Sequence, residues 1–159
     1  MAKVLILIAL CVLPSLITAA HDVRKPFVVI GKVYCDTCRC GYETPATTYI
    51  PGAMVRVECE DSNSLQVVFN VDNVTDATGT YTITVTEDHE DQLCYATLIS
   101  SPQSDCTAKA PGRDKSTVIL TNFNGVISNI RHANAMGFLK DSALPGCTQL
   151  LKQYQEYDE

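Results

Sequence analysis

Cysteine spacing constrains this chain more than any other feature of its sequence. Of its eight cysteines, three fall within residues 35–40, in the segment VYCDTCRCGY, and the others lie singly at Cys11, Cys59, Cys94, Cys106 and Cys147. Such a set can hold a metal, carry out redox chemistry or form disulfides. The choice depends first on the compartment in which the protein folds.

The first twenty residues predict a secretory signal peptide. Lys3 is the only charged residue there, an apolar run fills residues 4–13, and small residues follow at positions 18–20. A charged start, a short apolar core and a small-residue cleavage site are typical of secreted proteins. The apolar run is too short to span a bilayer. We therefore expect cleavage after Ala20, and a secreted, extracellular mature chain over residues 21–159 that forms a single domain with no membrane span.

The mature chain keeps seven cysteines, because Cys11 leaves with the signal peptide. A structural zinc site takes four ligands, commonly as two close pairs, whereas the cysteines beyond residue 40 are single and widely spaced. The histidines also lack ligand spacing, at His21, His89 and His132. A redox C-x-x-C opens a helix, but residues 41–52 contain two prolines and predict a loop. We therefore expect structural bridges, one leftover thiol, and no metal or cofactor; the spacing leaves the pairing open.

Seven segments predict β-strands, rich in β-branched residues or alternating between apolar and polar: 27–34, 53–59, 65–71, 79–86, 93–99, 116–123 and 126–130. Gly31 is a candidate bulge in the first. Asn124-Gly125 between the last two is the strongest hairpin signal of the chain. After Cys147, the spacing of Leu150, Leu151 and Tyr154 predicts a short helix. The pattern predicts an all-β fold, a seven-stranded, mostly antiparallel β-sandwich or closed β-barrel with a short C-terminal helix.

Charge and motifs exclude several classes of function. Removal of Lys3 with the signal peptide changes the net charge from −6 to −7. No Lys/Arg cluster forms a phosphate-binding surface, so nucleic acid is not an expected partner. No nucleophile motif of a hydrolase occurs, and Asp88-His89 lies in the charged segment 87–91, which we expect to be an exposed connection. Because neighbouring side chains point opposite ways, we expect no acid–base pair there, no catalytic residues and no enzyme.

A protease inhibitor is the alternative. Its reactive loop would be 100–115, the longest segment without predicted structure, where Cys106 anchors the chain and Lys109 and Arg113 offer basic side chains. Against this hypothesis, Pro111-Gly112 predicts a bend where an inhibitor needs an extended strand.

Several motifs together resemble the olive major pollen allergen family of secreted pollen and anther proteins. GKVYCDTCR at 31–39 is similar to the signature of that family. Further similar segments follow in the same order: IPGAMVRVEC at 50–59, Asp88-His89 before Leu93-Cys94, LISS at 98–101, Asp105-Cys106, and Gly137-Phe138 before ALPGC at 143–147. The resemblance covers the whole mature chain.

The resemblance implies a secreted binding or signalling module in pollen or pollen-tube growth. A cell-surface receptor or a cell-wall component would be its partner. It also implies three disulfides, Cys35–Cys106, Cys38–Cys147 and Cys59–Cys94. In this arrangement the third bridge would cross the core, and the first two would fasten the long loop and the tail to the end of the first strand.

The sequence departs from the family at two places. Cys40 stands where the family often has a small residue, so it is the expected leftover cysteine, as a buried thiol, a mixed disulfide or an intermolecular link. The family's glycan near the Asn-Gly turn is absent, because Asn124-Gly125-Val126 lacks Ser or Thr. Asn73-Val74-Thr75 is the only acceptor motif of the chain, and we expect glycosylation of Asn73 in an exposed turn.

Overall fold

The computed structural model describes residues 25–155, so the predicted signal peptide and the expected N-terminus at His21 lie outside the described residues. Over that range the chain forms ten strands and one helix. The elements are β1 (Phe27–Asp36), β2 (Thr48–Tyr49), β3 (Met54–Asp61), β4 (Val67–Val74), β5 (Thr80–Val85), β6 (Gln92–Ser100), β7 (Ala108–Lys109), β8 (Lys115–Val118), β9 (Ile130–His132), β10 (Met136–Leu139) and α1 (Cys147–Gln155).

The first sheet is organised around β1, which is long enough to pair with four strands. Its N-terminal half lies between β5, which is antiparallel, and β9, which is parallel. Its C-terminal half pairs with β2 antiparallel and with β10 parallel, and β7 adds to the outer edge of β10. This six-stranded sheet therefore has two parts that share one continuous strand.

The second sheet has four strands in the order β4-β3-β6-β8, all antiparallel. The central strands β3 and β6 bury every second residue, as an antiparallel sheet with one covered face requires. Val55 and Val57 on β3 and Ala96 and Leu98 on β6 face the core. The alternation predicted over 53–59 is thereby confirmed.

The core lies between the two sheets and joins their inward faces. Tyr81, Ile83 and Val85 of β5 are almost completely buried, which confirms the alternation predicted over 79–86. From the first sheet, Phe27, Val29 and Val33 of β1 and Met136 and Phe138 of β10 pack against residues of the second sheet.

The predicted closed barrel is wrong, and so is the count of seven strands. Within residues 25–155, no β-ladder joins the two sheets, so the fold is an open two-layer arrangement. The additional strands are β2, β7 and β10, of which the first two have only two residues each. Such short strands carry no periodicity, because their pairing depends on β1 and β10 lying beside them.

The hairpin predicted at Asn124-Gly125 is also wrong. Gly125 does adopt a positive φ of 77°, as a turn there requires. The strands on either side do not pair with each other, because β8 joins β6 in the second sheet and β9 joins β1 in the first. The segment between them therefore connects the two layers. Pairing with distant strands determines where β8 and β9 lie, and it overrides the local turn signal.

The predicted C-terminal helix is confirmed as α1, which begins at Cys147. The predicted bulge at Gly31 is wrong. The pairing of β1 with β5 is regular through Gly31, opposite Tyr81. Glycine is required there for space, because an added Cβ would lie 2.3 Å from the Tyr81 Oη atom.

Candidate functional site

Two disulfides fasten distant segments to the end of β1. Cys35, the second-last residue of the strand, is bonded to Cys106, with a Cα–Cα distance of 6.0 Å. Cys38, just beyond the strand, is bonded to Cys147 at the first residue of α1, with a Cα–Cα distance of 5.3 Å. These bridges hold the 100–115 segment and the C-terminal helix against the first sheet.

The third disulfide, Cys59–Cys94, does not cross the core as expected. The two residues lie directly opposite each other on the neighbouring strands β3 and β6 of one sheet, with a Cα–Cα distance of 4.0 Å. Both are almost completely buried on the inward face. This bridge therefore reinforces a pairing that the sheet already makes, and it does not link the layers.

His89 lies beside this bridge, contrary to the expectation that segment 87–91 is an exposed connection. Its side chain is buried, packs on Phe69 with 4.7 Å between ring centroids, and pairs through Nδ1 with Gln92 Oε1 at 2.8 Å. The ligand atoms of His89, Cys59 and Cys94 lie within 4.8 Å of one another. Because the two sulfur atoms are bonded to each other, they are not thiolates, which are the form that binds metal.

Asp88 and His89 face different surroundings, as the alternation of side chains predicts. The Asp88 carboxylate accepts hydrogen bonds from the backbone N–H and the side-chain amide of Asn122, at 3.1 and 3.0 Å. His89 instead points into the core. The two therefore anchor segment 87–91 and are not arranged as an acid–base pair.

Cys40 is the unpaired cysteine of the described residues and is only partly exposed. Strand β1 ends at Asp36, and the chain then turns at Arg39, which has a φ of 54°. The Cys40 Sγ lies 3.4 Å from the Tyr42 carbonyl oxygen. Burial raises the pKa of the thiol above its ordinary value, with the nearby Asp36 carboxylate acting in the same direction. A thiol with little thiolate near neutral pH reacts slowly, which disfavours an intermolecular bridge.

Asn73 lies on β4 and not in the expected turn. It is exposed, and its side-chain Nδ2 donates to the Thr82 carbonyl at 2.8 Å. Thr75, the third residue of the acceptor motif, is buried. Its hydroxyl donates to the Ile50 carbonyl at 2.6 Å and accepts from the Ala53 N–H at 2.9 Å. Thr75 therefore has a structural role that is independent of any glycan.

The 100–115 segment is not built as an inhibitor loop. Lys109 is exposed, but it belongs to β7 and pairs with Phe138 of β10. The Arg113 carbonyl accepts from Gly137 N–H, and its side-chain Nε donates to the Gly41 carbonyl. The backbone that an inhibitor would present to a protease is thus paired within the protein.

An exposed apolar surface that the sequence did not predict lies between β8 and β9. We call residues 119–129 the apolar loop: it has no charged residue, and large side chains are exposed at Ile119, Phe123, Val126 and Ile127. The sequence instead predicted strands over 116–123 and 126–130, joined by a hairpin at Asn124-Gly125. The signal for a loop was the lack of a regular period in the apolar positions.

Two shallow depressions lie along the first sheet and the segments beside it, with volumes of about 310 and 330 Å³. They share Glu43 and Ala135, and they are lined further by Lys32, Tyr49 and His132 in one and by Tyr42, Arg113 and Asn134 in the other. Glu43 accepts a hydrogen bond from the Tyr49 hydroxyl at 2.8 Å. Among the lining residues there is a single carboxylate and no nucleophile beside a base.

Within residues 25–155, no helix has the length and apolarity needed to cross a membrane.

Comparisons with known proteins agree on one family. Residues 25–155 match the family described as "Pollen protein Ole e 1 like". The chain is 43% identical over 155 residues to pollen-specific protein C13 of Zea mays, covering 97% of this chain and 91% of the relative. It is 49% identical over 145 residues to the protein DOWNSTREAM OF FLC of Arabidopsis thaliana, covering 91% and 88%.

A solved structure agrees as well. The crystal structure of the plantain pollen allergen Pla l 1 superposes with a TM-score of 0.69 at 28% identity, covering 77% of this chain and 99% of that one. The match of the family to all the described residues, the high identity of the relatives and the shared fold lead to one conclusion. This chain belongs to the pollen Ole e 1-like family.

Proposed function

We propose that this protein is a secreted, non-enzymatic extracellular module that binds a surface partner in pollen or pollen-tube development. The observation that carries the proposal is the construction of the scaffold. The bridges at Cys35 and Cys38 fix the 100–115 segment and α1 onto one β-sandwich. A rigid frame that presents connecting loops is typical of recognition domains.

Three further observations support the proposal. Two exposed depressions are shallow and hold no pair of catalytic groups among their lining residues. The Asp88-His89 pair has anchoring contacts in place of acid–base geometry. Relatives with similar sequences include a protein of Zea mays that is named as pollen-specific, which supports a role in pollen.

The test uses the full-length protein in a plant host. A fluorescent fusion should accumulate in the extracellular space. The labelled mature protein, with its three disulfides intact, should bind saturably to growing pollen tubes and change their growth rate. Reduced and alkylated protein is the control and should not bind. Retention inside the cell, or no saturable binding by the folded protein, would overturn the proposal. Expression confined to vegetative tissue would remove its link to pollen.

A further inference from the structure

We propose that the apolar loop, residues 119–129, is the docking element of this protein, and that it inserts into an apolar pocket rimmed by Lys and Arg side chains on a partner protein outside the cell. The inference rests on the proposed function and deepens it, because it names the surface that binds and the chemistry of its partner.

The first observation is the exposure of the loop. Ile119 is 55% exposed, Val126 is 47% exposed and Ile127 is fully exposed, at 103%. Ile130, the first residue of β9, continues the patch. Single exposed apolar residues are common on protein surfaces, but several within one short segment mark an interaction site.

The second observation is that a buried side chain holds the loop in shape. Arg131 is 7% exposed, and its guanidinium lies under the loop. Its Nε donates to the Ile119 carbonyl at 2.7 Å, one terminal nitrogen donates to the Thr121 carbonyl at 3.1 Å, and the other donates to the Ser128 carbonyl. One rigid group thus fastens both arms of the loop.

Local turns and anchors complete the shape. The Val126 N–H donates to Asn124 Oδ1 at 3.0 Å, within the turn at the tip. Leu120 is buried, and its carbonyl accepts from the His89 N–H, while the Asn129 carbonyl accepts from the Val28 N–H. The loop is therefore tied to segment 87–91 at one end and to β1 at the other. A loop ordered before binding loses little conformational entropy on binding, which favours affinity.

The third observation is the charge beside the loop. Segment 87–91 runs alongside it, joined through His89 and Asp88. Glu87, Glu90 and Asp91 in this segment are exposed and form no ion pair within the described part of the chain. The buried Arg131 guanidinium is a cation under the loop, and the three exposed carboxylates beside the loop outnumber it. An apolar loop with such an acidic border is complementary to an apolar pocket with a basic rim, and the acidic field also speeds encounter with the partner.

The same charges disfavour two other occupants. A second copy docked through the apolar loop about a two-fold axis would present the same acidic border and no basic rim, so the charge complementarity would be missing. A membrane surface with anionic lipids would repel the segment, because both are negatively charged. A basic protein surface remains the occupant that matches both the apolar and the charged part of the patch.

The experiment measures binding of the labelled mature protein to intact pollen tubes at several salt concentrations. Ile127→Asp changes a fully exposed side chain, so folding should be intact; we expect binding at least about tenfold weaker. Glu90→Gln with Asp91→Asn should slow association and reduce its dependence on salt. The matched control is Val68→Asp on β4, whose side chain is 56% exposed on the strand at the opposite edge of the second sheet from β8, and it should bind like the unmodified protein.

Further arms distinguish the occupants. Mild protease treatment of the tubes should abolish binding, vesicles of anionic phospholipid should not bind the protein, and sedimentation should show a monomer whether or not Ile127 is replaced. Undiminished binding of Ile127→Asp would overturn the inference while the proposed function stands. Protease-resistant binding, binding to vesicles, or a dimer that Ile127→Asp dissociates would overturn it in favour of another occupant. No binding by the unmodified protein would overturn the proposed function itself.

Discussion

At Gly31 the side chain is absent because the Tyr81 ring occupies its place. An added Cβ would lie 2.3 Å from Tyr81 Oη and 2.6 Å from its Cζ. Tyr81 is fully buried and cannot move aside. Gly31→Ala should therefore lower the free energy of unfolding by about 1–3 kcal/mol. Gly146→Ala, with no atom within 4 Å of the added carbon, is the control; because Gly146 precedes the first residue of α1, the change should cost at most about 1 kcal/mol through the helix cap. Chemical denaturation measures both, and equal effects would contradict the packing argument.

Tyr81 also makes the stability of the folded protein depend on pH in the alkaline range. Its hydroxyl is buried without a hydrogen-bond partner among the described residues, and burial raises its pKa far above the ordinary value near 10. The unfolded chain releases this proton above pH 10 while the folded protein keeps it, so stability is lost as pH rises beyond 10. At pH 11 the loss should be on the order of 1 kcal/mol.

Tyr81→Phe should remove this contribution, because phenylalanine has no proton to release. Denaturation at pH 9 and 11, in a Cys40→Ala background that prevents thiolate exchange, measures the difference between the two proteins. The other titrating groups, including Tyr34, are the same in both. An identical loss of stability between the two pH values would show that Tyr81 does not titrate as its burial requires.

Thr75 combines a structural contact with a place in the acceptor motif, and the two can be separated. Thr75→Val removes the hydroxyl and leaves the Ile50 carbonyl and the Ala53 N–H without their partner, so it should cost about 1–3 kcal/mol. Thr75→Ser keeps both the hydroxyl and the motif and should cost less. Asn73→Gln removes the motif and the exposed hydrogen bond from Asn73 to the Thr82 carbonyl, but it leaves the buried Thr75 hydroxyl in place. We expect a mobility shift on electrophoresis for Asn73→Gln and Thr75→Val, and a clearly larger loss of stability in unglycosylated protein for Thr75→Val than for Asn73→Gln.

The shape of the apolar loop, which connects the two sheets, depends on Arg131 in β9. Arg131→Lys keeps the charge but loses the planar fork that reaches three carbonyls, so the loop should loosen and the free energy of unfolding should fall by about 2 kcal/mol. Hydrogen exchange should become faster at Phe123 and Val126 and stay unchanged in β3. Arg56→Lys, in an exposed pair with Asp72, is the control and should cost less than about 1 kcal/mol. Unchanged exchange in the loop would contradict this role of Arg131.

For the molecule as a whole, the Cys38–Cys147 bridge closes the longest loop of the three, across a sequence separation of 109 residues. Closing a loop of ~100 residues stabilises a protein by up to about 4.7 kcal/mol through the unfolded state. Replacing both cysteines with Ala should therefore lower the unfolding free energy by several kcal/mol and free α1, while the sandwich persists. Cys40→Ala is the matched control and should change little. Peptide mapping without reduction checks the pairing, and a Cys40–Cys147 linkage in the unmodified protein would contradict it.

The sequence by itself determined the period-two strands, the tail helix and the family. Residues 53–59 and 79–86 alternate strictly, and a half-buried strand needs only that alternation to find its face. The resemblance also gave the three cysteine pairs that the structure contains, which spacing alone left open. These features depend on local order along the chain or on motifs that stand in the sequence itself.

Three features were decided by the tertiary structure alone. They are the pairing of the segments on either side of Asn124-Gly125, the burial of the His89 side chain, and the position of the Cys59–Cys94 bridge within one sheet. Each depends on which strands become neighbours: β8 pairs with β6, β9 pairs with β1, and β3 pairs with β6. Burial of the inward faces drives these choices, and it acts between residues far apart in sequence. A turn signal or a run of charges describes only local preference, so long-range burial overrides it. The apolar loop arises for the same reason. Its residues connect β8 in one sheet to β9 in the other, and the local sequence does not specify that these two strands belong to different sheets.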